Sequence, residues 1–178
     1  FMGVQGIGDT ISAGFYKVSA IEDTTASLGI LMGSADEAST LMDDLTESNM
    51  KTPYSFDAWS EAGKNLVAFG LEAEDVTDTV MALGEAAAAS GKGEQALASM
   101  GDAWGKAAAS GKISMDLINS LAQGGVNGLT ILANHFDVTT EEMQKMISGG
   151  TVPMEEAFDA LTTGIMEGSD GIAGSTMA

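Results

Sequence analysis

The chain contains no cysteine and no arginine. Without Cys there is no disulfide, no thiol nucleophile and no Cys-ligated metal, and the redox compartment stays open. All seven basic residues are Lys, set against 26 Asp and Glu, for a formal net charge of −19. Phosphate binding needs clustered cations, so this balance argues against nucleic acid as a direct partner. It disfavours anionic membrane surfaces for the same reason. Proline occurs only twice, and aromatics make up 6% of the chain. No uninterrupted apolar run is long enough to span a bilayer, and no basic segment followed by an apolar one opens the chain. The first residue is Phe1, and both ends read as cut from a longer protein.

What remains is 44% hydrophobic, which is globular rather than disordered, and 178 residues can bury a core without metals or disulfides. Much of that apolar content is Ala and 12 Met, alongside 23 Gly, which predicts close helix packing around a compliant core. The acidity favours solubility through self-repulsion. It also suits a surface that must not adhere to passing DNA.

Apolar residues recur near every 3.6 positions, so the fold class is all-α: a compact bundle of about seven or eight short to medium helices with Gly-rich turns. Residues 1–33 form a Gly-rich segment with a marginal helix over about 8–20, carrying Ile7, Ile11, Phe15 and Val18, fed by a flexible N-terminus. The main helical domain spans 34–167. Ser34 with Glu37, and Thr139 with Glu142, stand at capping-box spacing, and Ser55 and Ser114 can cap two more helices. The apolar stripes include Leu41 and Leu45; Phe56, Trp59, Ala62 and Leu66; Val76, Val80 and Leu83; and Leu97, Met100 and Trp104. Pro153 suits the first turn of a last helix through Phe158, Leu161 and Ile165. Residues 168–178 read as a Gly/Ser/Ala-rich linker. Ala87–Lys92 recurs as Ala107–Lys112, which fits an antiparallel helical hairpin. Only 112–114 and 151–153 could be short extended pieces.

No catalytic, metal or cofactor residues are predicted. His135 is the single His, and one imidazole cannot assemble a metal cluster or a Ser/His/Asp set. The acidic pairs are Asp43-Asp44, Glu74-Asp75, Glu141-Glu142 and Glu155-Glu156. Three of them stand at predicted helix starts, where the dipole favours anions. Gly91-Lys92-Gly93 and Gly111-Lys112 lack the strand-loop-helix frame of a phosphate loop and read as helix stops. Trp59 and Trp104 fall in apolar stripes and are assigned to the core.

Thr52-Pro53-Tyr54-Ser55-Phe56 and the following Leu66-Val67-Ala68-Phe69-Gly70 carry more specific information. Four further blocks follow in order: Leu83-Gly84 through Gly91, Lys106 through Ser114, Leu121 through Val126, and Met146 through Gly150. Together they resemble the N-terminal domain of bacteriophage tail tape measure proteins over about residues 20–170. The pattern departs at Asn127-Gly128, where members often carry Pro, and at Gly150, in place of a common Lys.

The resemblance implies a non-enzymatic structural module of a phage or prophage tail protein that sets tail length and templates tube assembly. The implied partners are the tail tube protein, tail tip or hub proteins and tail assembly chaperones. The implied location is the virion tail, with the host cytoplasm during assembly. Two alternatives stand beside it: a muralytic or other enzyme domain of a tail protein, and a membrane-interacting segment used in DNA ejection.

Overall fold

The computed structural model describes residues 5–168, with side chains from residue 19 onward. Among these residues there are nine helices and no strand: α1 (Gln5–Met32), α2 (Ala35–Asn49), α3 (Phe56–Ala68), α4 (Ala73–Ala89), α5 (Glu94–Ser110), α6 (Met115–Gln123), α7 (Gly128–His135), α8 (Thr140–Gly149) and α9 (Met154–Glu167). The all-α prediction holds. Residues 112–114 and 151–153 are loops, extended at Ser114 and Pro153.

The helix starts follow the capping residues. Ser34, Ser55, Ser114 and Thr139 each accept a hydrogen bond from a backbone N–H three residues on. The box at Thr139 is complete, because Glu142 accepts the Thr139 N–H in return at 3.0 Å. At Asn127, a departure from the family pattern, the side chain caps α7 by accepting the Thr130 N–H at 3.2 Å. Gly150 closes α8 at φ 64°, in the left-handed region that a Lys would enter only with strain. Pro153 stands one position before the expected first turn, as the N-cap of α9.

One helix differs in extent from the prediction. α1 does not stop near residue 20 but continues to Met32. Its later turns gain tertiary support that local propensity cannot reveal: α1 packs on α2 and α3, and Leu28 is fully buried. The predicted stripe of Ile7, Ile11, Phe15 and Val18 lies outside the described side chains, and the proposed linker at 169–178 lies outside the described residues.

α4 is the central helix. It packs on α2, α3, α5 and α9, and its buried face includes Val76, Val80, Ala82, Leu83, Ala86 and Ala87. A helix buried on most sides needs small residues where its neighbours approach. α5 carries the contact with α6, and α7 joins α8 and α9. Trp104 on α5 stacks on Phe158 of α9 with ring centroids 4.8 Å apart, tying the two ends together. Methionine contributes to the core as composition suggests, with Met32, Met81, Met115, Met146 and Met154 packed against it half-buried. Met42, Met100 and Met143 are buried, whereas Met50 is 72% exposed, and the largest fully buried side chains are Trp59 and Trp104.

Candidate functional site

The Thr52–Phe56 block forms a corner between α2 and α3, and four helices meet on it. Asn49, at the end of α2, donates from Nδ2 to the Tyr54 carbonyl at 3.1 Å. The Tyr54 hydroxyl donates to the Gly84 carbonyl of α4 at 2.7 Å. The Tyr54 ring stacks on Trp59, and the Trp59 Nε1–H donates to Ser48 Oγ at 3.0 Å. Burial, with help from the Glu85 and Glu94 carboxylates, pushes the Tyr54 hydroxyl up to about 12, so it stays a neutral donor. The Ser55 N–H donates to the Glu94 carboxylate at the start of α5, at 2.7 Å. That contact with Ser55 holds Glu94 below the usual carboxylate range.

From this corner α3 and α5 run beside each other and leave a groove of about 560 Å³. Its lining is rich in small residues, Ala58 and Ala62 from α3 and Gly101 and the exposed Ala98 from α5. Glu61, Glu94 and Asp102 supply its charge, with no Lys among the lining residues. Sequence inspection missed this groove. Stripe-reading selects large apolar residues, whereas the signal here is small residues four apart on α3 and three apart on α5.

The residues weighed for chemistry lie apart. His135 ends α7, its Nε2 3.2 Å from Glu156 Oε1, with both side chains well exposed. Among the described residues no group of three His, Asp or Glu is arranged to hold a metal. Trp59 and Trp104 are core residues. Glu74-Asp75, Glu141-Glu142 and Glu155-Glu156 occupy first helical turns, and Asp43-Asp44 is exposed on α2. Gly91-Lys92-Gly93 and Gly111-Lys112 are turns after α4 and α5. Glu85 was not singled out by sequence. It is buried, and its Oε2 has no hydrogen-bond partner among the described residues.

One acidic cluster has a measurable consequence. Partial burial raises the Asp75 pKa above 3.8, and Glu74, Asp159, Glu72 and Asp78 raise it further. The folded state therefore holds this proton more tightly than the unfolded chain. Ionised Asp75 opposes folding at neutral pH, and the opposition disappears below 3.8, where both states are protonated. Asp75 is exposed, so solvent screening reduces the effect, and Asp75→Asn is expected to raise the melting temperature only slightly at pH 7. The gain should shrink as pH falls and be absent near pH 3. A gain that persists at pH 3 would show that the carboxylate is not its source.

Among the described residues no helix is long and apolar enough to cross a membrane. No match was found among curated proteins or among solved structures. The sequence model of the tape measure protein family matches residues 14–177, nearly the whole chain. With the all-helical architecture already described, that match makes this chain a member of the tape measure protein family, a structural component of the phage tail.

Proposed function

We propose that this domain is a non-catalytic assembly module of a tape measure protein, which sets tail length and templates polymerisation of the tail tube. The observation that carries the reading is the family match over residues 14–177 on a body of short packed helices. A ruler converts chain length into tail length through the helical rise of about 1.5 Å per residue. Helices of 8–17 residues folded back between α2 and α9 cannot supply that extension. The body is therefore a docking part attached to the rod. Its partners are the tail tube protein, tail tip or hub proteins and assembly chaperones, met in the host cytoplasm before the virion is complete. An acidic surface keeps it from adhering to DNA.

The test is an in-frame deletion of residues 34–167 in the parent phage or prophage, read by electron microscopy and particle yield. A docking module predicts few or no finished tails. A stretch of ruler predicts normal yield with tails shorter by about 200 Å, from 134 residues (167 − 34 + 1) at the helical rise. The second result would overturn the reading. Turnover of peptidoglycan by the isolated domain would overturn its non-catalytic part.

A further inference from the structure

We infer that the groove between α3 and α5 is the seat of a cationic amphipathic helix belonging to a partner protein. The inference rests on the reading of this domain as a docking module and adds the chemistry of one partner.

The first observation is Gly101. It lies inside α5 and is buried, yet a Cβ built on it would meet nothing within 4 Å. Four other helix-interior glycines have a reason within the fold, whereas Gly29 of α1 would take a Cβ at ordinary contact distance, 3.7 Å from its nearest neighbour. A Cβ at Gly63 would strike Leu45, at Gly84 Trp59, at Gly105 Phe69 and at Gly164 Ile131. Glycine weakens a helix relative to alanine, and at Gly101 the domain's own packing does not require one. The space lies on the groove, beside Ala58, Ala62 and Ala98. Small side chains on facing helices let a third helix approach at about 8 Å between axes. Each wall offers about two turns, Ala58–Asn65 on α3 and Glu94–Asp102 on α5.

The second observation is charge. Glu61, Glu94 and Asp102 line the groove, and no lining residue is a cation. Lys106, one turn further along α5, approaches Asp102 at 3.6 Å, but both side chains are more than half exposed. Such an exposed pair is easily exchanged. Glu94 is held ionised and in place by Ser55. The groove belongs to a chain of net charge −19, so a second copy or an acidic partner meets repulsion. The complementary occupant presents a narrow ridge of Ala or Leu to the groove's small residues and flanks it with Lys or Arg.

The experiment uses a labelled amphipathic peptide of about 18 residues, long enough to be helical on a surface. It is built of Leu, Ala and Lys, with a Glu-for-Lys version beside it. Binding to the complete 178-residue chain is read by fluorescence anisotropy at physiological salt. The Lys peptide is expected to bind and the Glu peptide not. Gly101→Leu fills the groove without changing charge and should weaken binding about tenfold. Glu61→Lys with Asp102→Lys should weaken it further, and Asp43→Lys with Asp44→Lys, on the exposed face of α2, should change it little. Should Gly101→Leu fail to fold by circular dichroism, Ala98→Leu on the exposed wall serves instead.

Equal weakening by the two charge reversals, or full binding to the filled groove, would mean general attraction to an acidic protein and would overturn the inference. So would a failure of the Lys peptide to bind, or self-association through this groove in sedimentation. None of these results would alter the outcome of the tail-assembly deletion, so the two readings fail separately.

Discussion

Trp59→Ala is expected to cost about 3–5 kcal/mol of unfolding free energy, the range for truncating a fully buried large aromatic. Trp59 has no exposed surface. Its ring stacks on Tyr54 at 5.7 Å between centroids and lies against Gly84 of α4. Its Nε1–H satisfies the buried Ser48 hydroxyl, which in turn donates to the Leu45 carbonyl. Truncation therefore opens a cavity among α2, α3 and α4 and leaves a buried polar group with one partner fewer. Set against a typical total of about 5–15 kcal/mol, the loss leaves a marginal fold. Urea unfolding followed by far-ultraviolet circular dichroism measures it, and a change below about 1 kcal/mol would show that the corner is not part of the cooperative core. Because the same corner positions Ser55 and Glu94 at the end of the groove, peptide binding should fall with it.

How far such a corner can be read from sequence depends on how local its causes are. Ser34, Ser55, Ser114 and Thr139 mark helix starts because one hydroxyl bonding one nearby N–H is a local event, and all four do so here. The core residues Trp59, Leu66, Val80, Leu83, Leu97 and Trp104 were legible from period alone, because one helical face must be buried. The extent of α1 was not. Glycines at 6, 8, 14 and 29 weaken it locally, and the support that carries it to Met32 comes from α2 and α3, which follow it in the chain. Composition pointed to a compliant core containing Met, but it does not say that Met42, Met100 and Met143 are the methionines that face fully inward.

The groove was illegible for a different reason. Its lining is rich in residues with little or no side chain, and a single sequence gives no sign of whether Ala or Gly is small because a neighbour presses on it or because space is kept open. Gly84 and Gly101 look alike as letters in helical stretches. In the structure one is filled by an indole ring and the other faces open space. The Thr52–Phe56 signature drew attention through family resemblance, but its physical role, one corner touching α2, α3, α4 and α5, depends on three-dimensional closure.

Gly84→Ala should therefore destabilise the domain by about 1–3 kcal/mol, as overpacking of a filled core does. The added Cβ would sit 2.7 Å from Trp59 Cζ3 and 2.9 Å from Cη2. The indole cannot swing aside cheaply, since Tyr54 stacks on one part of it and Ser48 holds its Nε1. Intrinsic helix propensity acts in the opposite direction and favours Ala by about 1 kcal/mol. The sign of the measured change thus reports whether the ring is fixed. In the Trp59→Ala background the obstacle is gone, and adding Gly84→Ala should become neutral or stabilising. A double-mutant cycle by urea denaturation would then show coupling of about 1–3 kcal/mol between the two sites. Gly101→Ala is the matched control on α5, where nothing lies within 4 Å and only the propensity gain remains, so stability should rise by about 0.5–1 kcal/mol. If both glycine substitutions stabilised equally, the indole would not be locked against α4, and the corner would be softer than its hydrogen bonds imply.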